Sequence, residues 1–99
     1  MGEFEQLVLL AVLRLGDEAY GMAVRQELED RTGRDVSYGA VYTTLDRLEK
    51  KGFASHRLGE ASPQRGGRAR KYFRVEPAGR EALRETRDLF DVMWEGVSI

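Results

Sequence analysis

Ninety-nine residues, 41% of them apolar, with no cysteine and a net charge of −1, make one small domain that buries only about 60–70% of its unfolded surface and stands to gain stability from a partner subunit. The missing cysteine excludes a disulfide framework and any Cys-based zinc or redox site. The longest apolar run, Leu7 to Leu13, spans seven residues where a bilayer needs roughly 20, and no export or lipidation signal flanks it; a cytoplasmic protein without membrane contact is expected.

A first helix is expected over EFEQLVLLAVLRLG, stopped by Gly16, since glycine is the usual residue just past a helix C-terminus. Its seven apolar residues cover nearly two turns and point all round the helix. Burial on two sides follows, one in the chain's own core and one, through Leu10, under a partner. The second helix, YGMAVRQELEDRTG, has Tyr20, Ala23, Val24 and Leu28 on one face and ends at Gly33. A short strand is expected at Asp35 and Val36.

The third helix follows in SYGAVYTTLDRLEKKG, with Ser37 as its N-cap and Gly52 as its terminator. Val41, Leu45 and Leu48 fall at i, i+4 and i+7 and face the core. The opposite face starts with Tyr38, Gly39, Tyr42 and Thr43 and meets no acid before Asp46. Strands FASHRL and RKYFRV then flank a long glycine-rich loop. From Arg57 to Arg74 the chain holds six cations and one acid, whereas the segments from Met1 to Asp35 and from Val75 to Ile99 are net acidic. The last helix, EPAGREALRETRDLFDVMWEG, carries Pro77 in its first turn and Gly96 past its end. At about 30 Å it outruns so small a core.

Three helices followed by a hairpin with a basic loop is the order of a winged helix-turn-helix, in which the second helix of the motif enters the major groove by its N-terminal end. The expected fold is therefore mainly helical (α+β): three helices and a two-stranded wing hairpin in residues 1–76, and a C-terminal dimerisation helix in 77–99. The helix beginning at Ser37 suits DNA: its N-terminus favours phosphate, Gly39 and Ala40 permit close approach, and Tyr38, Tyr42 and Thr43 offer hydroxyls. Arg65, Arg68, Arg70 and Lys71 on the loop would reach phosphates or a narrow minor groove. On the last helix Leu83, Leu89, Phe90, Met93, Trp94 and Val97 form the apolar set. Leu83 and Leu89 suit the chain's own core, and Phe90, Met93 and Trp94 suit a two-fold partner. Trp94 and Met93 near that axis either fill the interface or line a slot for a small, flat hydrophobic effector.

The blocks AVLRLGDEAYGMAVRQELE, SYGAVYTTLDRLEKKG and GGRARKYFRVEPAGREAL resemble the PadR family of bacterial transcriptional regulators, in family order and at family spacing. The resemblance implies a homodimer on operator DNA, usually a repressor, with the last helix as dimerisation arm in the manner of the family's short form; two recognition helices entering successive major grooves make a near-palindromic site in double-stranded DNA the expected target. By position it sets Tyr20 and Gly21 against the DNA backbone, Tyr38, Tyr42 and Thr43 in the recognition helix, and Arg68, Arg70 and Lys71 in the wing. Glu76 departs from the Thr the family often places before the proline, at an expected cost of about 1 kcal/mol of helix stability.

An enzyme is not expected. His56 is the only histidine and has no cluster of acids about it for a metal. RGGR joins two strands rather than opening a helix, so it is not a nucleotide-phosphate loop. No cofactor is implied. The competing reading from another class is a winged-helix module that uses the basic loop on an acidic protein.

Overall fold

The computed structural model describes residues 1–61 and 66–99. Its elements are helices α1 (Glu3–Leu15), α2 (Gly21–Thr32) and α3 (Tyr38–Lys50), strands β1 (Ala54–Ala61) and β2 (Ala69–Val75), and helix α4 (Pro77–Trp94), with a 3-10 turn at Gly16–Glu18. The order is that of a winged helix-turn-helix with an added C-terminal helix. Helix α1 touches α2, α3 and β2. Val8 and Leu9 of α1 are fully buried, together with Val24 from α2 and Val41, Leu45 and Leu48 from α3. Leu10 points the other way and stays 45% exposed.

The helix ends follow from local chemistry. Gly33 closes α2 in the left-handed conformation, and its N–H donates to the Glu29 carbonyl. Helix α3 ends in a paired turn: Gly52 N–H donates to Glu49 C=O and Phe53 N–H to Leu48 C=O, both at 2.9 Å. Gly52 sits at φ 78°, where a side chain would be strained. This turn aims the chain directly into β1.

The strand expected at Asp35 and Val36 is absent. The Val36 backbone is satisfied by side chains of α2 instead: its carbonyl accepts from Arg25 Nε at 2.7 Å and its N–H donates to Glu29 Oε2 at 3.1 Å. The segment that does pair with the hairpin is Tyr20, in an isolated antiparallel bridge with Tyr72. In the hairpin itself Ala54 pairs with Val75, His56 with Phe73 and Arg57 with Tyr72, and the register breaks between Leu58 and Ala61.

Glu76 stands at the N-cap of α4, but its side chain makes no hydrogen bond to the helix backbone. Its carboxylate accepts from the Ser55 hydroxyl and from Arg74 Nε, which hold it below the usual carboxylate range. The root of α4 is fixed by close packing. Glu76 N–H donates to Phe53 C=O at 2.9 Å, and a Cβ on buried Gly79 would lie 2.4 Å from that same oxygen. Leu83 packs on the core as expected. Leu89 does not: it is 64% exposed, because the core ends before the helix does.

Lys51, just past α3, reaches back to Glu5 near the start of α1, with Nζ 2.9 Å from Oε2. Glu5 also accepts from Gly2 N–H at 3.1 Å. The Lys51 contact, more than the Gly2 bond, lowers the Glu5 pKa against the effect of burial. A carboxylate with a depressed folded pKa stabilises the fold above its unfolded pKa, and that contribution disappears as pH falls through the folded value. We expect urea midpoints to drop as pH is lowered through the region at and below 4.5, and Glu5→Gln to remove part of that dependence while costing about 1–2 kcal/mol at neutral pH. An identical acid limb in Glu5→Gln would contradict this assignment.

Candidate nucleic-acid interface

Helix α3 presents its N-terminal turn to solvent. Ser37, extended at φ −76° and ψ 146°, caps it by accepting from Ala40 N–H at 3.0 Å. The N–H groups of Tyr38 and Gly39 precede the first intrahelical bond and point outward from the positive end of the helix. Gly39, Ala40 and Thr43 are exposed, and a Cβ on Gly39 would meet nothing within 4 Å. The backbone here is open to close approach.

Tyr38 and Tyr42 stand one turn apart with ring centroids 5.3 Å apart. The Tyr38 ring rests on Gly21 at the start of α2, where a Cβ would come within 3.2 Å of Tyr38 Cε2. Gly21 is therefore buried beneath a tyrosine. Burial, and secondarily the neighbouring Tyr42, raise the Tyr38 pKa, so at neutral pH the phenol keeps its proton and remains a donor. Lys71 Nζ lies 6.0 Å from the Tyr42 ring centroid. That contact joins the wing to the exposed face of α3.

Tyr20 and Tyr72, the other two tyrosines, make a second pair. Their centroids are 5.8 Å apart at 71°, with Arg70 4.0 Å over Tyr20 and Arg57 4.6 Å over Tyr72. Arg57 Nη2 also donates to Asp17 C=O at 3.3 Å. A hydrogen bond with Tyr72, foremost, and the field of Glu18 raise the Arg70 pKa further. Arg70 and Lys71 thus leave the strand on opposite faces, as successive strand residues must. Lys71 faces α3 and Arg70 the outer side of the sheet. Arg68 is exposed at the tip beside Gly66 and Gly67. Arg65 lies outside the described residues.

Arg57 was not among the cations singled out from the sequence. Its place over Tyr72 follows from the hairpin register, which residue order alone does not fix. His56 is held by structure: Nδ1 lies 2.7 Å from Glu49 Oε1 and the ring tilts over Phe73. Among the described residues no group of three His, Asp or Glu is arranged to hold a metal ion, and no helix is long and apolar enough to cross a membrane.

The chain matches the model of the transcriptional regulator PadR-like family over residues 9–85. A curated transcriptional regulator of Mycobacterium tuberculosis is 45% identical over 73 residues, which are 72% of this chain and 62% of that protein. The chain thus spans somewhat less than two thirds of that relative's length. Among solved structures, a PadR family transcriptional regulator from Eggerthella lenta superimposes with a TM-score of 0.71 at 30% identity, over 95% of this chain and 81% of the other. A PadR-like transcriptional regulator from Bacillus cereus gives 0.72 at 26% identity, over 91% and 82%.

The cap is open to a direct test. Ser37→Ala is expected to lower unfolding stability by about 1 kcal/mol, whereas Ser37→Asn, an equally good cap, should hold it within a few tenths. Equal urea midpoints for wild type and Ser37→Ala would show that this hydrogen bond contributes nothing.

Proposed function

The chain belongs to the PadR-like family of transcriptional regulators and is a regulator rather than an enzyme; from that premise we propose that it acts as a homodimeric repressor, binding a near-palindromic operator on cytoplasmic DNA. The observation that carries this reading is the exposed, acid-free first turn of α3 standing next to the wing's Lys71. A helix N-terminus with outward N–H groups attracts phosphate, and the side chains that follow it reach base edges. In this reading Tyr38, Tyr42 and Thr43 supply hydroxyls at the groove, and Ser37 and Gly39 let the backbone come close. Tyr20 stands at the start of α2 beside the sugar-phosphate chain, and Gly21, expected to meet it too, instead lies buried beneath Tyr38. Arg65, Arg68, Arg70 and Lys71 neutralise flanking phosphates, which gives affinity and register rather than sequence choice.

The dimer is supported by surface that one chain leaves uncovered. The accessible area is 6814 Å2, against about 5,700 Å2 for a compact monomer of this mass. The radius of gyration is 15.1 Å, against about 12.6 Å for a compact chain of this length. The excess, about 1,100 Å2, is near what one partner contributes to a stable interface. Apolar surface is uncovered on the outer half of α4, where Phe90, Met93 and Trp94 are 58, 70 and 53% exposed. Leu89, Val92 and Val97 extend that surface, and Leu10 on α1 adds to it. Residues 77–99 are, on this reading, the dimerisation arm.

Selection from a random duplex pool should return two-fold sites whose half-site centres are about one helical turn apart or somewhat more. The binding constant should fall with salt at a log-log slope near −0.9 for each phosphate neutralised. Arg68→Ala with Lys71→Ala should flatten that slope by about two. Wild-type binding that ignores salt would overturn the phosphate role of the wing. Light scattering at micromolar concentration should report about twice the 11.3 kDa chain mass, and Phe90→Asp with Trp94→Asp should halve it and weaken operator binding. A monomeric wild type would remove the dimer from the proposal.

A further inference from the structure

A two-stranded hairpin is marginal on its own, yet this wing has to present its cations at a set distance from α3. Its base is anchored in the core through Ala54, Phe73 and Val75, and Phe73 N–H donates to Ala19 C=O at 2.8 Å, beside the bridge between Tyr20 and Tyr72. Beyond that base the two strands run out toward the loop, and a ribbon held at one end can tilt there. At that point stands the Tyr72 ring, which abuts Tyr20 and lies so close over Gly59 that a Cβ there would come within 2.5 Å of Tyr72 Cε2.

Gly59 shows that this seat is built. It stands in β1 at the register break between Leu58 and Ala61, and it is not among the glycines at positive φ, so its backbone conformation is open to other residues and the space above it is what excludes a side chain. The room it leaves is filled by the Tyr72 ring. The train of contacts continues to the reading helix, because Tyr20 is followed by Gly21, and Gly21 carries the ring of Tyr38. Wing, start of α2 and start of α3 are thereby in contact through Gly59, Tyr72, Tyr20, Gly21 and Tyr38.

We propose that Tyr72 is a positioning residue: seated over Gly59 and against Tyr20, its ring fixes the angle of the wing to α2 and α3, so that Arg68 and Lys71 meet phosphate in register with the first turn of α3. The consequence for binding rests on the DNA-binding reading above; the hold on the wing does not. The ring rather than the hydroxyl supplies that hold, which separates Tyr72→Phe from Tyr72→Ala. Gly59→Ala is the complementary variant, since it keeps every side chain and evicts the ring from its seat.

The cysteine-free chain allows spin labels to be placed cleanly at Gln26→Cys on α2 and Ala69→Cys on β2, both exposed. Labelled protein diluted with excess unlabelled chain reports the distance within one subunit by pulsed electron paramagnetic resonance. The parent and Tyr72→Phe are expected to give one narrow distribution, and Tyr72→Ala and Gly59→Ala a shifted or broadened one. On selected duplex DNA the latter two should lose about tenfold in affinity, with a salt slope shallower by about one or more, while Tyr72→Phe stays within about threefold of the parent. An unchanged distance distribution in both Tyr72→Ala and Gly59→Ala overturns the proposal whatever the DNA result. So does a Tyr72→Phe as impaired as Tyr72→Ala. Altered distances with unchanged affinity and slope overturn the role in binding. A parent protein that binds no duplex defeats the DNA reading itself, and the distance measurement still decides whether the ring holds the wing.

Discussion

Everything in this molecule is referred to helix α1. Val8, Leu9 and Val12 are buried to 2% exposure or less, and the helix that carries them touches α2, α3 and the second wing strand. A chain of this size has one small core, and a central helix apolar over nearly two turns is what lets three neighbours share it. Helices α2 and α3 then cross at a defined place, and their N-terminal ends emerge together, with Gly21 beneath Tyr38. The Glu5–Lys51 pair closes the far side by tying the start of α1 to the end of α3. The placement of the first turn of α3 is a by-product of where α1 runs.

Around that turn the cations divide by task. Lys71 faces α3, whereas Arg57 and Arg70 spend their planar faces on Tyr72 and Tyr20. A guanidinium over a ring gains from the ring's quadrupole and keeps its edge free to donate, so Arg70 can both brace the sheet and offer N–H groups outward. Arg74 is engaged with Glu76 and Ser55. The excess of positive charge between Arg57 and Arg74 is therefore partly architecture, and the part left for polyanions is narrower than a count of arginines suggests.

Much of this was legible from residue order because it is local. Gly16, Gly33 and Gly52 stop their helices and Ser37 starts one, each for reasons confined to one turn of chain. The period of Val41, Leu45 and Leu48 assigned the buried face of α3. What escaped is set by contacts far apart in sequence. Val36 resembled a strand residue, but its backbone partners are side chains of Arg25 and Glu29. The strand-like partner of the wing proved to be Tyr20, through a bridge to a residue 52 positions later. Leu89 fits a core-facing helical stripe in the sequence, and nothing local shows that the core ends beneath Leu83. The split between Arg70 and Lys71 was available from strand periodicity alone, and the basic loop obscured it because charge counting ignores direction.

The junction at Gly79 has a mechanical meaning. Phe53 C=O receives Glu76 N–H and abuts Gly79, and Phe53 follows directly on the glycine that ends α3. No compliant linker separates arm from reading helix at this point. A helix of 18 residues is a rod of about 27 Å, and a tilt of about 10° at its root displaces its far end by about 5 Å. Run in reverse, the rod is a reduction gear: a shift of about 5 Å at its far end reaches its root as a rotation of about 10°. The stiffness of that joint sets how faithfully a displacement of the helix's far end, at Phe90, Met93 and Trp94, would be carried to the first turn of α3.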